Sequence, residues 1–141
     1  MKIIIASGYF DPIHIGHIEY LKLSKKLGDK LIVIVNNDAQ CILKKTKPFM
    51  YQKERVEILK SIKYVDEVFL NIDKDKSCCE SIKAIAKRFK GNEIIFAKGG
   101  DRFSYEIPEA KICKELNIKI VDKLGKKIQS SSKLTGLKEI K

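Results

Sequence analysis

The sequence predicts an α/β fold in which one five-stranded parallel sheet carries helices on both faces. Apolar runs of strand length alternate with amphipathic helical patterns from end to end of the chain. Strands that are joined through helices form parallel sheets with right-handed crossovers. The 141 residues suffice for one domain with its own core, and no linker, repeat or low-complexity segment divides them. We therefore expect a single domain over 1–141.

The elements of the first half follow from the spacing of apolar residues. Residues 2–7 are an apolar strand run, and 15–27 place their apolar residues on one helical face. Residues 31–35 are continuously apolar, which is typical of a strand buried on both faces. Residues 51–63 again have helical spacing.

The second half repeats this alternation. Its predicted strands are 67–70, 94–97 and 118–121. Its predicted helices are 77–89, 109–116 and 130–137. Polar turns follow the first, second and fourth strands, and ligands of open α/β sheets bind beyond the carboxyl ends of strands. The sequence therefore predicts a site at that edge of the sheet.

Composition and charge exclude several classes of protein. No apolar run approaches the roughly 20 residues of a membrane span, and the chain opens on a strand pattern without the pattern of a signal peptide. We expect a cytoplasmic protein with no membrane partner. The net charge is +11, but the lysines are scattered, whereas nucleic-acid proteins usually carry an arginine-rich stripe. We expect no nucleic-acid partner and interpret the positive field as steering for an anionic substrate such as a triphosphate.

The most informative pattern is the turn after the first strand. It reads G-Y-F-D-P-I-H-I-G-H over 8–17 and contains both histidines of the chain. His14 and His17 lie three residues apart at the predicted start of a helix, so they share one face. Backbone N–H groups at a helix N-terminus bind anions. The turn therefore predicts an anion site with two imidazoles beside it.

Other residues of the turn fit a phosphate site. Gly8 and Gly16 allow a ligand to approach the backbone closely, and we expect Asp11 to bond turn amides and shape the loop. Zinc is the alternative, but histidine pairs that bind zinc on a helix are usually spaced i, i+4. The chain has no further histidine, and its four cysteines form no Cys-x-x-Cys pair. We therefore expect reduced thiols and no metal held by the protein.

This turn resembles the signature of the H-x-G-H nucleotidyltransferase superfamily, and closely its cytidylyltransferase-like branch. Members begin G-x-F-D-x-x-H-x-G-H, and the matching residues are Gly8, Phe10, Asp11, His14, Gly16 and His17. The resemblance implies a Rossmann-like domain that moves a nucleotidyl group from a nucleoside triphosphate to a small phosphorylated acceptor and releases pyrophosphate. It implies that His14 and His17 contact the triphosphate, with Mg²⁺ held mainly by the nucleotide's phosphates. It also suggests a homodimer.

The resemblance covers nearly the whole chain. It places Lys44 beside the leaving pyrophosphate, and Glu54-Arg55 matches an E-R or H-R pair. Arg55 and Arg102 are the candidates to grip the acceptor's phosphate. The run 98–101 matches a G-D element on the base and ribose side, and three serines replace an S-T-T segment whose hydroxyls hold phosphate. The implied nucleotide-binding residues are Gly8, Tyr9, Phe10, Asp11, Gly16, Gly99, Asp101, Ser130, Ser131 and Ser132.

The identity of the substrates stays open at this point. Cytidylyltransferases for glycerol phosphate or ethanolamine phosphate carry an arginine where this chain has Lys126 and Lys127, and lysine offers a point charge in place of a bidentate fork. The K-G-G-D form resembles heptose-phosphate adenylyltransferases, so ATP is slightly favoured over CTP. We expect a sugar, polyol or alcohol phosphate as acceptor. Tyr9 replaces a small residue common in the family and could narrow the site or stack on the acceptor. A non-catalytic nucleotide-binding module is the alternative to an enzyme.

Overall fold

Helices separate the strands of the structure along the chain, as the sequence predicts. The computed structural model describes residues 1–44, 46–99 and 107–124. The strands are β1 (Lys2–Gly8), β2 (Lys30–Val35), β3 (Glu67–Leu70), β4 (Glu93–Gly99) and β5 (Lys119–Leu124). The helices are α1 (Ile15–Lys25), α2 (Asp38–Lys44), α3 (Gln52–Lys60), α4 (Cys79–Arg88) and α5 (Ala110–Glu115). The helix predicted over 130–137 lies outside the described residues. No helix of the described ranges has the length and apolarity that a bilayer crossing requires.

The five strands form one sheet in the order β3-β2-β1-β4-β5. Each of the four strand pairings is parallel, which confirms the predicted α/β class. From β1 the chain moves outward through β2 to β3 and then returns to place β4 on the other side of β1. The direction of winding therefore reverses between β1 and β4. In sheets of this kind ligands bind at this reversal, beyond the carboxyl ends of the strands.

The sheet is buried on both faces because its central strands are apolar on both faces. In β1, Ile3 and Ile5 point to one face, whereas Ile4 and Ala6 point to the other. The first face is covered by side chains of α4 and α5, namely Ile82, Ile85, Ile112 and Cys113. The second face is covered by side chains of α1 and α3, namely Tyr20, Leu21 and Leu59. Helices therefore lie on both faces, as predicted.

Helix α2 is an addition to the predicted elements, because the segment after β2 reads as a polar loop. Its start is held by a reciprocal pair: the Asn37 side chain accepts the backbone N–H of Gln40 at 2.9 Å, and the Gln40 side chain accepts that of Asn37 at 3.0 Å. The same spacing of polar side chains defines a capping box. Helix α2 ends at Lys44, so it carries that lysine back toward the first turn.

Candidate active site

The turn after β1 is shaped by Phe10, whose backbone is left-handed (φ 52°). Its ring is 1% exposed and lies over Gly8, where an added Cβ would approach the ring to 3.1 Å. The ring meets that of His17 edge-on, with centroids 5.0 Å apart. The buried ring therefore supports His17 from within, and the role of Phe10 as a nucleotide ligand stays a prediction. The need for glycine at position 8 comes from this internal packing.

The two imidazoles cap the helix that carries them. His14 is the N-cap of α1, and its Nδ1 accepts the backbone N–H of Gly16 at 3.1 Å. The Nδ1 of His17 accepts the backbone N–H of His14 at 3.2 Å. The rings stack with centroids 3.9 Å apart and an interplanar angle of 22°. Because a neutral imidazole that accepts at Nδ1 carries its proton on Nε2, both rings have an Nε2–H donor to offer a ligand.

Both histidines are held in the neutral form. Burial lowers the pKa of His14 below its ordinary value. Burial, followed by the nearby His14 and then the charge of Lys44, lowers the pKa of His17 to about 3. At neutral pH the pair therefore offers hydrogen-bond donors without a positive charge. In this site the positive charge comes from lysine.

Lys44 reaches the histidine pair from the end of α2. Its Nζ lies 4.3 Å from the centre of the Tyr9 ring, and its charge acts on His17. The structure thus brings together Tyr9, His14, His17 and Lys44. The first three belong to the same turn, whereas Lys44 is distant from them in the sequence. An ammonium and two neutral N–H donors at a helix N-terminus form a suitable environment for phosphate oxygens.

Asp11 holds a distant loop against the turn. Its buried carboxylate accepts the backbone N–H of Phe49 at 2.8 Å and that of Met50 at 2.5 Å. The sequence predicts that Asp11 bonds amides and shapes the loop, but these amides lie some forty residues away and not in its own turn. The residue is 0% exposed and its carboxylate is bound to backbone. Its implied role as a nucleotide ligand stays a prediction.

The side chain of Arg55 is not placed as a side chain that binds a substrate phosphate would be. It is 0% exposed, and its guanidinium donates to the backbone carbonyls of Tyr9, Asn36 and Met50. Its Nη2 lies 2.9 Å from Oδ1 of Asp38. This corrects the prediction that Arg55 binds the acceptor's phosphate. The guanidinium instead ties together the ends of β1 and β2 and the segment before α3.

Tyr20 was not singled out by the sequence, yet it holds the reversal point of the sheet. Its hydroxyl accepts the backbone N–H of Ser7 at 3.1 Å and donates to the carbonyl of Ala97 at 2.5 Å. The phenol thus joins β1 and β4 near their carboxyl ends. A Cβ on Gly99 would lie 2.9 Å from the Tyr20 ring, so glycine is required there for packing. Helical periodicity marks Tyr20 only as a core residue, and its hydroxyl contacts leave no sequence signal.

The remaining predicted ligands fall outside the part of the chain that the structure describes. They are Asp101, Arg102, Ser130, Ser131 and Ser132, together with the substitutes Lys126 and Lys127. Their roles stay predictions. Within 1–44, 46–99 and 107–124, no group of three or more His, Cys, Asp or Glu side chains is arranged to hold a metal ion.

The chain is similar in sequence to a known family and to named relatives. The cytidylyltransferase-like family model matches residues 5–134. An FAD synthase of Thermococcus kodakarensis is 43% identical over 68 residues, which are 48% of this chain and 46% of that protein. The chain therefore spans about half the length of that relative. An FAD synthase of Methanothermus fervidus is 36% identical over 121 residues, 84% of this chain and 76% of that protein.

A solved structure matches over most of the fold. The crystal structure of a lipopolysaccharide core biosynthesis protein from Thermoplasma volcanium aligns with a TM-score of 0.67 and 30% identity. The alignment covers 89% of this chain and 98% of that one. The family model covers the histidine turn, the second half of β1 and the whole of the other four strands. The chain therefore belongs to the cytidylyltransferase-like family of the H-x-G-H nucleotidyltransferase superfamily.

Proposed function

We propose that this chain is an adenylyltransferase that joins the AMP of ATP to flavin mononucleotide (FMN), forming FAD and pyrophosphate. The observation that carries the proposal is the stacked, neutral histidine pair with Lys44 beside it, at the point where the sheet reverses. Relatives named FAD synthase favour a flavin acceptor over the sugar, polyol or alcohol phosphate expected from the sequence. The same name supports ATP over CTP.

The reaction is an in-line displacement at the α-phosphorus of ATP. A phosphate oxygen of FMN forms the new bond to that phosphorus, the bond to the bridging oxygen of the β-phosphate breaks, and pyrophosphate leaves. A phosphate monoester is largely ionised at neutral pH, since its second pKa is about 6. The nucleophile therefore needs no general base, and catalysis reduces to positioning and charge stabilisation.

The residues of the site supply these two effects. The Nε2–H groups of His14 and His17 donate to triphosphate oxygens, as preorganised donors do in an oxyanion hole. Lys44 offsets the charge that develops on pyrophosphate. Mg²⁺ enters with the nucleotide as MgATP, because phosphates are its usual ligands in such sites. From the family resemblance we also propose that the protein works as a homodimer in the cytoplasm.

The test is product formation by the purified protein. MgATP with FMN is expected to yield FAD and one equivalent of pyrophosphate, separated by chromatography. Parallel reactions replace ATP by CTP, and FMN by glycerol phosphate, ethanolamine phosphate or a heptose phosphate. Turnover of one of these pairs without FAD formation would overturn the choice of substrates. Tight MgATP binding without pyrophosphate release from any pair would identify a non-catalytic module.

A further inference from the structure

Lys44 needs a fixed position if it is to act on a triphosphate. A lysine ammonium is a compact charge on a flexible four-carbon stem, and Lys44 is the last residue of the short helix α2. Helix propensity alone does not restrict the rotamers of such a terminal side chain. Some neighbouring group must therefore define where the ammonium lies.

The ring of Tyr9 is the group on which that ammonium lies. The Nζ of Lys44 is 4.3 Å from the ring centre, closer than Lys30 to Phe89 at 5.1 Å or Lys63 to Tyr64 at 5.2 Å. A cation over an aromatic face is attracted by the ring quadrupole. The contact therefore restrains Lys44 at a defined distance from the turn.

Tyr9 is itself held firmly on its main-chain side. Its carbonyl accepts Nη1 of the buried Arg55 at 2.8 Å, and the neighbouring Phe10 is anchored in the core. Gly8 on the other side is paired with Val35 at the end of β1. The ring thus projects from a rigid part of the turn. It transmits the position of that turn to a side chain that comes from another helix.

We propose that Tyr9 is a positioning residue that keeps the Lys44 ammonium beside the histidine pair. The inference deepens the proposed function and rests on it for its kinetic consequences. The electrostatic effect of Lys44 on His17 agrees with this placement. The other role open to Tyr9 is stacking on the acceptor, and the two roles predict different kinetics.

The direct test observes the lysine without any reaction. Reductive methylation with ¹³C-formaldehyde labels every lysine, and the signal of Lys44 is assigned by its absence in Lys44→Arg. Because the ammonium lies over a ring face, the Lys44 methyl signal is expected upfield of the exposed lysines. Tyr9→Phe keeps the shift, and Tyr9→Leu removes it. A Lys44 signal at the position of exposed lysines in the parent protein would overturn the proposal.

The kinetic test measures the coupling between the two side chains. Tyr9→Leu is expected to lower kcat/KM for MgATP about two- to fivefold, the worth of one partly exposed cation–π contact. Tyr9→Phe restores most of this loss. In the Lys44→Met background Tyr9→Leu has no further effect, as a double-mutant cycle requires for one shared contact. The matched control is Tyr64→Leu, which removes a similar lysine–tyrosine contact in the 61–66 segment.

Two results separate failure of this inference from failure of the proposed function. An equal effect of Tyr9→Leu in both backgrounds, or a rise confined to KM for FMN, overturns the positioning role while FAD synthesis stands. If the parent protein makes no FAD, the proposed function fails. The methyl shifts and the MgATP affinities of the same variants then decide the inference.

Discussion

Nη2 of Arg55 lies 2.9 Å from Oδ1 of Asp38, and the rest of this buried guanidinium is bonded to backbone carbonyls. Replacing Arg55 by Met leaves those carbonyls without a donor in a buried site. We expect the free energy of unfolding to fall by at least about 2 kcal/mol, since unsatisfied buried polar groups and broken buried ion pairs are costly. Urea titration measures the loss. A midpoint like that of the parent would contradict this structural role.

Arg55→Lys separates the effect of the planar guanidinium donors from the effect of the positive charge. Lysine retains the positive charge near Asp38 but lacks the planar set of donors that reaches several carbonyls at once. We expect Arg55→Lys to be clearly destabilised, though less than Arg55→Met. Arg88→Gln is the matched control, because Arg88 forms an exposed ion pair with Glu67, and exposed pairs contribute at most about 1 kcal/mol.

His17→Ala is expected to lower turnover by at least about a hundredfold, because it removes a preorganised donor from the transition state. His17→Asn is the informative companion, since its short side chain still offers an acceptor for the His14 N–H but no Nε2–H. Because the acceptor is kept, we expect His17→Asn to lose less stability than His17→Ala, with turnover as low as in His17→Ala. Steady-state pyrophosphate release and thermal unfolding measure the two effects. Near-normal turnover in either variant would refute the assigned role.

The low pKa of His17 predicts a pH-dependent stability. In the folded protein His17 stays unprotonated down to about pH 3, whereas a histidine in the unfolded chain is protonated near pH 6.5. The stability from this group is therefore complete above about pH 6.5 and declines as the pH is lowered toward 3. The limiting slope is about 1.4 kcal/mol per pH unit. Urea titrations from pH 7.5 to 4.5 are expected to show a steeper decline for the parent than for His17→Asn. Parallel curves would contradict the shift.

Tyr20→Phe tests the joint between β1 and β4. It leaves the N–H of Ser7 and the carbonyl of Ala97 without their shared partner, so we expect a loss of about 1–3 kcal/mol in the free energy of unfolding. Tyr51→Phe is the control, because that side chain is 67% exposed and surface changes are usually within about 0.5 kcal/mol. Equal stability of the two variants would remove this role for Tyr20.

The sheet and the histidine turn can be predicted from the sequence because both depend on short-range patterns. Apolar runs mark β1 and β2, and the spacing of His14 and His17 marks a helix start. The family resemblance makes Phe10, Asp11 and Arg55 ligand-binding residues, whereas the structure turns their side chains inward. A motif records which residue types recur and not which way each side chain points.

Contacts between distant segments could not be predicted from the sequence for a similar reason. Asp11 bonds the amides of Phe49 and Met50, and backbone amides have no identity in a sequence. Helix α2 was within reach, since Asn37 and Gln40 have the spacing of a capping pair. Recognising that signal would have placed Lys44 at a helix end and not in a loop.

The Nδ1 atoms of His14 and His17 are occupied by backbone amides of their own helix. The protonation state of the two rings is therefore fixed when α1 forms, before any substrate binds. Docking of MgATP should consequently exchange no proton with the surrounding buffer through these rings. Calorimetric binding heats measured at pH 7.5 in HEPES and in Tris, which differ in ionisation enthalpy, are expected to coincide.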